Sequence, residues 1–371
     1  MFVYPNKLNI IFDKLKKNNI KPIIVGGFVR DYFLKRSSKD IDIELYNADS
    51  FEQIEKILKE FGNTNIIGKS FGVIKLSIDD LDLDFSLPRL DNKVSSGHTG
   101  FEVQTFKDLD FKTASKRRDF TINAIGYDIY DKKFLDYHNG IEDITNKKLK
   151  YIDKNSFQED PLRILRAVQF CTRFEFKMDE SLFSTCRDMI RQNLLNELAN
   201  ERIFTEIKKL FLKSKKPSIG LQLLKDLGIK IFKIDDKKLL AVDNFINFKT
   251  TNNKTNITIL LALVCKNNMY ELEALTSSKS LINNVNNLLH VEDYFTKKNK
   301  SINYNIAKNL DLGLVKLFLK TLDLEKGIAK NLMLLKPKIN GKDLIKKGLK
   351  PSKDFTNILQ TLYDEQLRTY M

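Results

Sequence analysis

The sequence predicts an α/β domain over residues 1–140 followed by an all-α remainder, and three observations predict it. Short apolar or alternating runs take turns with amphipathic stretches through the first 140 residues, the helical period takes over from about residue 141, and turn signals fall between the segments. Residues 8–19 place Leu8, Ile11 and Leu15 on one helical face, closed by Asn18-Asn19. IKPIIV is a short apolar run entering Gly26-Gly27, a strand and then a turn; FVRDYFLKR follows as a helix that Ser37-Ser38 breaks. IDIEL alternates apolar and acidic residues, the period of a half-buried strand, and FEQIEKILKEFG returns to helix. FGVIKLSI and LDLDFSL, joined at Asp79-Asp80, make a β-hairpin. Residues 89–112, with Ser95-Ser96-Gly97-His98-Thr99-Gly100 among them, keep no period and read as a mobile loop. The stretch from 216 to 371 is helical, rich in Lys and Asn, and holds no catalytic-looking cluster.

The bulk numbers narrow the class. A chain of 371 residues accommodates two or three domains. Lys and Arg number 63 against 48 Asp and Glu, a formal charge of +15. A soluble chain this basic suits a polyanionic partner, although a Lys/Asn/Ile-rich composition is also what AT-rich coding produces. Cys171, Cys186 and Cys265 have no CxxC spacing and make no disulfide framework, which fits a reducing cytoplasm. His98, His138 and His290 are too few and too scattered for a His-based metal site. The N-terminus lacks a signal-peptide apolar block, and the longest apolar stretch, Ile257 to Cys265, falls short of the ~20 residues of a membrane span.

Chemistry concentrates in four places. Gly26-Gly27 at a strand-to-helix turn lets backbone approach a phosphate, and Arg30 adds a charged donor, although most glycine pairs are only turns. Asp40 and Asp42 lie two apart on a strand, so both carboxylates leave one face. Such a pair repels itself unless a cation sits between, and an oxygen-only ligand set suits Mg²⁺; a solvated strand edge explains the pair alone equally well. Asp82 and Asp84 repeat the pattern, and one of them is a candidate third carboxylate. Three adjacent cations, Lys116, Arg117 and Arg118, followed by Asp119 and Asn123 look like a phosphate and sugar site; a basic surface turn explains the run alone, but its apolar neighbours imply partial burial, where a cation needs a partner. Finally, EDPLRILRAVQF reads as a helix on which Asp160, Arg163 and Arg166 share a face while Leu162, Ile164, Leu165 and Val168 face the core. A surface ion pair is the plain reading of that face. The sharper one is that an acceptor beside fixed donors matches the amino-and-ring-nitrogen edge of cytosine and of adenine and refuses guanine and uracil.

Together these residues resemble the bacterial class II tRNA nucleotidyltransferase and poly(A) polymerase family. The resemblance runs through VGGFVRDYFLKRSSKDIDIE, RRDFTINAIGYD, DYHNGIEDI, EDPLRILRAVQF and ANERIFTEIKKLF, and touches the C-terminus at INGKDLIKKGLKPSKDFTNILQTLYDEQL. It implies a polymerase-β-like nucleotidyltransferase head at 1–140, a helical neck with the base-reading helix at 141–215, a helical body at 216–335 and a tRNA-binding tail at 336–371. It implies Asp40 and Asp42 as ligands of Mg²⁺, with Asp84 as a further catalytic carboxylate. Gly26, Gly27, Arg30, Arg118, Asp119 and Asn123 would hold the incoming nucleotide's phosphates and sugar, Asp160 and Arg163 would read the base, and Arg166 would bind the triphosphate. The partners implied are CTP, ATP and the 3′ end of tRNA, in the cytoplasm and away from membranes, with C, C and A added without a template. A-addition alone and poly(A) tailing are the alternatives. The loop at 89–112 resembles the family's flexible loop and favours an activity that reaches A. The chain departs from the family pattern at Gln169, where a further basic residue is common, and at Ser352-Lys353, in place of a glycine-proline turn.

Overall fold

A computed structural model describes residues 2–67, 72–79, 81–93, 101–105, 109–233, 235–265, 269–296, 301–324 and 332–369. The chain divides into two compact units, Met1–Ala199 and Asn200–Met371.

The first unit is built on a mixed sheet. Its elements are α1 (Leu8–Lys17), β1 (Lys21–Val25), α2 (Gly27–Phe33), β2 (Asp40–Tyr46), α3 (Phe51–Leu58), β3 (Asn63–Ile67), β4 (Val73–Ile78) and β5 (Leu81–Ser86). They continue with β6 (Arg89–Lys93), β7 (Phe101–Thr105), α4 (Phe111–Ser115), β8 (Gly126–Asp128), β9 (Lys133–Leu135) and α5 (Gly140–Thr145). Then come β10 (Lys148–Leu149), α6 (Lys154–Glu159), α7 (Leu162–Phe174), β11 (Lys177–Met178) and α8 (Glu180–Arg191). Seven strands pair in the order β3-β4-β5-β2-β1-β8-β9. β2 lies against β1 antiparallel and against β5 parallel, so strands from distant parts of the chain flank it.

The alternation along β2 decides which face does what. Ile41, Ile43 and Leu45 are buried on one face, with Leu83 and Phe85 of β5 beside them. Asp40, Asp42 and Glu44 leave by the other. The predicted early helices and strands form as expected, and the buried stripe of α1 is Leu8, Ile11, Phe12 and Leu15. The edge strand β3 and the short pair β8 and β9 carry too little alternation to stand out in sequence. Residues 89–112 are not an aperiodic loop throughout: β6 and β7 pair antiparallel, and α4 opens at Phe111 with Asp110 capping Thr113. Residues 94–100, the Ser-Gly-rich centre of the expected loop, lie outside the described residues.

The second unit is helical among the described residues. It contains α9 (Asn200–Lys213), α10 (Pro217–Leu227), α11 (Asp236–Ile246), α12 (Asn253–Val264), α13 (Met269–Leu275), α14 (Lys279–Thr296), α15 (Tyr304–Ala307), α16 (Leu312–Thr321), α17 (Gly341–Lys346) and α18 (Phe355–Thr369). The longest apolar stretch of the sequence becomes α12, buried on every side from Asn256 to Val264 and packed by α9, α11, α14 and α16. Among the described residues no helix is long and apolar enough to cross a membrane. Near the C-terminus, Asn340 and Asp343 form a capping box for α17, and the buried Tyr363 of α18 donates its hydroxyl to the Leu335 carbonyl at 2.8 Å. The expected neck is shared between the units: α5 to α8 belong to the first and α9 opens the second.

Candidate active site

The parallel register of β2 and β5 sets Asp40 beside Asp82 and Asp42 beside Asp84. Paired residues of adjacent strands point to the same face, so the two acidic pairs separated by forty residues form one patch. Solvent reaches Asp42, yet protein closes round it. That crowding holds its carboxyl above the ordinary carboxylate range; Arg118 pulls the other way, and Asp84, Asp40 and Glu44 add to the rise. Asp84 is steadied across the next strand pair by Lys75, whose Nζ lies 3.0 Å from Oδ1. Among the described residues no three His, Cys, Asp or Glu side chains already form a metal-holding group. Two hard carboxylates this close could hold a divalent cation.

Gly26 is the other edge of this patch. It has φ +69°, which L side chains rarely adopt, and a Cβ there would stand 3.2 Å from Arg118 Nη1 and 3.3 Å from Asp42 Oδ2. The turn thus passes so close to a carboxylate and a guanidinium that a side chain there would press on both. Gly27 opens the seven-residue α2 and approaches Arg30 Nη2 at 3.6 Å from its own ideal Cβ position.

Arg118 and Asn123 are placed by two buried networks. In the first, Glu44 Oε1 accepts from Arg117 Nη2 at 2.8 Å and from Arg118 Nη2 at 2.7 Å, while Oε2 accepts the Tyr46 hydroxyl at 2.9 Å. Burial alone would raise the Glu44 carboxyl; Arg118, Arg117 and Tyr46 outweigh it and hold it below the ordinary range. In the second, Asp119 Oδ1 accepts from Asn123 Nδ2 at 2.9 Å, and Oδ2 accepts from Arg166 Nε at 2.8 Å and Nη2 at 2.6 Å. Burial again pushes the Asp119 carboxyl up and is outweighed, here by Arg166, Asn123 and Arg163.

Three expected site residues are placed in ways the sequence did not show, and one of them, Asp160, lies off the helix expected to carry it. Arg30 is buried, donating from Nε and Nη2 to Asp31 Oδ1 at 2.8 and 2.7 Å and from Nη1 to Asn123 Oδ1 at 2.7 Å, with its guanidinium over the rings of Phe170 and Phe174. Through the last of these bonds it braces Asn123. Asp160 is not on the helix with Arg163. It precedes Pro161, whose ring disfavours the helical conformation in the preceding residue, and it caps the end of α6 in an extended conformation (φ −119°, ψ 100°). Its Oδ1 accepts from Leu162 N at 3.1 Å, so it caps α7 instead of lying on its face. Arg163 is partly committed, donating from Nη1 to the Ser156 carbonyl and from Nη2 to the Arg117 carbonyl, each at 2.7 Å. The apolar arc of α7 is buried as expected at Leu162, Ile164, Leu165 and Val168. Gln169, the departure in sequence, is buried with no hydrogen-bond partner for Nε2.

Sequence reasoning passed over Glu44. The signal was available: it is the third acid of the alternation in IDIE, on the same face as Asp40 and Asp42, and the run KRR was already short of a partner. One buried carboxylate turns out to serve two of those three cations.

A family model described as "Poly A polymerase head domain" matches residues 23–150, and a second, described as "Probable RNA and SrmB- binding site of polymerase A", matches residues 175–232. Over residues 23–150 the chain is thus similar to the poly A polymerase head-domain family. The chain is also similar to the "Multifunctional CCA protein" of Psychromonas ingrahamii, 36% identical over 209 residues, which are 55% of this chain and 48% of that protein. The protein of the same description from Neisseria meningitidis is 31% identical over 205 residues, 55% of this chain and 46% of its own. The chain therefore spans about half the length of the curated relatives it matches. Among solved structures, a CCA-adding enzyme complexed with CTP superposes with a TM-score of 0.71 at 22% identity, covering 98% of this chain and 92% of that one. A Thermotoga maritima CCA-adding enzyme complexed with tRNA gives 0.68 at 21% identity, covering 100% and 97%. At these identities the superpositions establish the fold: a polymerase-β-like head and a helical remainder.

Proposed function

We propose that this chain adds C, C and A to the 3′ end of tRNA, taking CTP and ATP as substrates and no nucleic-acid template. The observation that carries the proposal is the patch made by Asp40, Asp42, Asp84, Gly26 and Arg118, where carboxylates for a cation and a guanidinium for a phosphate meet at a turn where a side chain would press on both. The curated relatives of matching description and the nucleotide- and tRNA-bound structural neighbours support the same reading.

In the proposed reaction the 3′-hydroxyl of the RNA gives up its proton to solvent as its oxygen forms a bond to the α-phosphorus of the nucleotide. The bond from that phosphorus to the bridging oxygen of the β-phosphate breaks, and pyrophosphate leaves with the electron pair. Asp40 and Asp42 would hold Mg²⁺, with Asp84 alongside. When bound, two such ions would lower the charge on the attacking and departing oxygens. Arg118, fixed by Glu44, faces the phosphates; Asn123 and Asp119, fixed by Arg30 and Arg166, face the sugar. Asp160 and Arg163 read the base edge, Arg163 offering the N–H groups that Ser156 and Arg117 do not take. The head at 1–140 carries the chemistry and the neck at 141–215 the base choice, while the body at 216–335 and tail at 336–371 hold tRNA in a cytoplasmic setting.

The same head chemistry would also serve A-addition alone or poly(A) tailing, which the description of the matching head-domain family keeps open; product length separates these from CCA addition. Asp40→Asn and Asp42→Asn should each cut nucleotide incorporation by about a thousandfold or more, the scale of losing metal-assisted charge stabilisation, while tRNA affinity in a filter-binding assay stays within a few fold. Lost tRNA binding with retained incorporation would contradict the assignment.

A further inference from the structure

We infer that Glu44 is a positioning residue that ties nucleotide choice to the catalytic strand, acting through Arg117 on Arg163 and through Arg118 on the triphosphate. The inference rests on the proposed reading of Arg163 as a base-contacting residue. Glu44 sits two residues beyond Asp42 on β2, almost wholly buried. It touches no solvent-facing part of the patch and cannot itself meet a nucleotide there. What it does touch are the two arginines, at 2.8 and 2.7 Å through the same oxygen. A carboxylate this deep is held only by such charged donors, and they by it.

Each arginine then carries the constraint in a different direction. Arg118 is aimed past Gly26 toward Asp42, so its lateral position relative to the acid pair is set by Glu44 from behind. Arg117 takes the other route. Its side chain is pinned to Glu44, and its backbone carbonyl accepts from Arg163 Nη2 at 2.7 Å. The second fixed point of Arg163 is the Ser156 carbonyl, also at 2.7 Å. Arg163 is therefore suspended between α6 and the segment that Glu44 anchors. Loss of the Glu44 charge would remove a shared carboxylate from two part-buried guanidiniums and weaken the tie that runs from the acid-bearing strand through Arg117 to the arginine proposed to read the base. Tyr46 closes the other carboxylate oxygen and keeps Glu44 in a single orientation.

The test is equilibrium binding of CTP, ATP, UTP and GTP to the full chain in Mg²⁺, which needs no tRNA. Glu44→Gln keeps the shape and the Tyr46 acceptor. It should weaken CTP and ATP by about tenfold and reduce the preference over UTP and GTP by about tenfold, the range for one charge-assisted contact. In Glu44→Gln combined with Arg163→Ala, preference should fall no further than in Arg163→Ala alone, because one change acts through the other. A purely structural role would instead give losses that multiply, and that outcome, or wild-type preference in Glu44→Gln, overturns the inference. Arg117→Met guards against a Glu44 variant that fails to fold: it should lower preference while moving CTP affinity by less than about threefold, and unchanged preference there counts equally against the inference. A wild-type chain that binds all four nucleotides alike overturns base reading and this inference together. A chain that discriminates among nucleotides but extends no RNA would refute the proposed reaction alone.

Discussion

Asp119 shows how a single buried acid can serve both stability and function. It receives Arg166 on one oxygen and Asn123 on the other, and Arg30 completes the chain from the far side of Asn123. Its carboxyl lies below the unfolded value near 3.9. The stability it contributes is therefore fully present above that value and is lost as pH falls through the lower folded one. Asp119→Asn should destabilise the protein by about 1–3 kcal/mol at pH 7, less than for a fully enclosed pair because Arg166 is part-exposed. Urea midpoints of the two proteins should converge between pH 5 and pH 2. A gap that stays constant over that range would contradict the account. Glu44 follows the same logic, and Asp42 the opposite one: burial, helped by Asp84, Asp40 and Glu44 and opposed by Arg118, raises its carboxyl at the point proposed to hold a cation.

At the scale of elements, the decisive feature is where α7 begins. Pro161 stops the helix from reaching back to Asp160, which leaves Asp160 extended and capping Leu162 while Arg163 and Arg166 ride on the first turns. Pro161→Ala should let α6 and α7 merge and swing Asp160 away. Nucleotide preference should loosen several fold while stability changes by less than about 1.5 kcal/mol; competition binding of the four nucleotides measures the first and thermal unfolding the second. Retained preference would show that the break before α7 has no part in base choice.

Local pattern made much of this legible in advance. The two acids two apart on β2, the glycine turn before α2 and the apolar arc of α7 are all written within a few neighbouring residues. Glu44 and the arginines it holds are more than seventy residues apart in the chain, so no window contains both. The strands β8 and β9 have three residues each and exist because β1 offers an edge to pair with. At Asp160 the i, i+3, i+6 spacing points to a helix, but Pro161 disfavours the helical conformation in the residue before it and leaves Asp160 extended.

For the whole molecule, the net charge of +15 and the helical second unit fit a partner that is a long polyanion. Binding of tRNA should weaken by about a thousandfold or more between 50 and 200 mM salt if six or more phosphates are contacted. CTP binding should respond far less. A tRNA affinity indifferent to salt would leave the basic surface without its proposed use.

The most direct test of the central claim is incorporation of labelled CTP and ATP, separately and together, into tRNA that ends at the discriminator base, with Mg²⁺ present and product lengths resolved to one nucleotide. The account predicts two C with CTP alone, no extension with ATP alone, and two C then one A followed by a stop with both. An extending A tract, A added only to tRNA already ending in CC, or no incorporation of either nucleotide would contradict it.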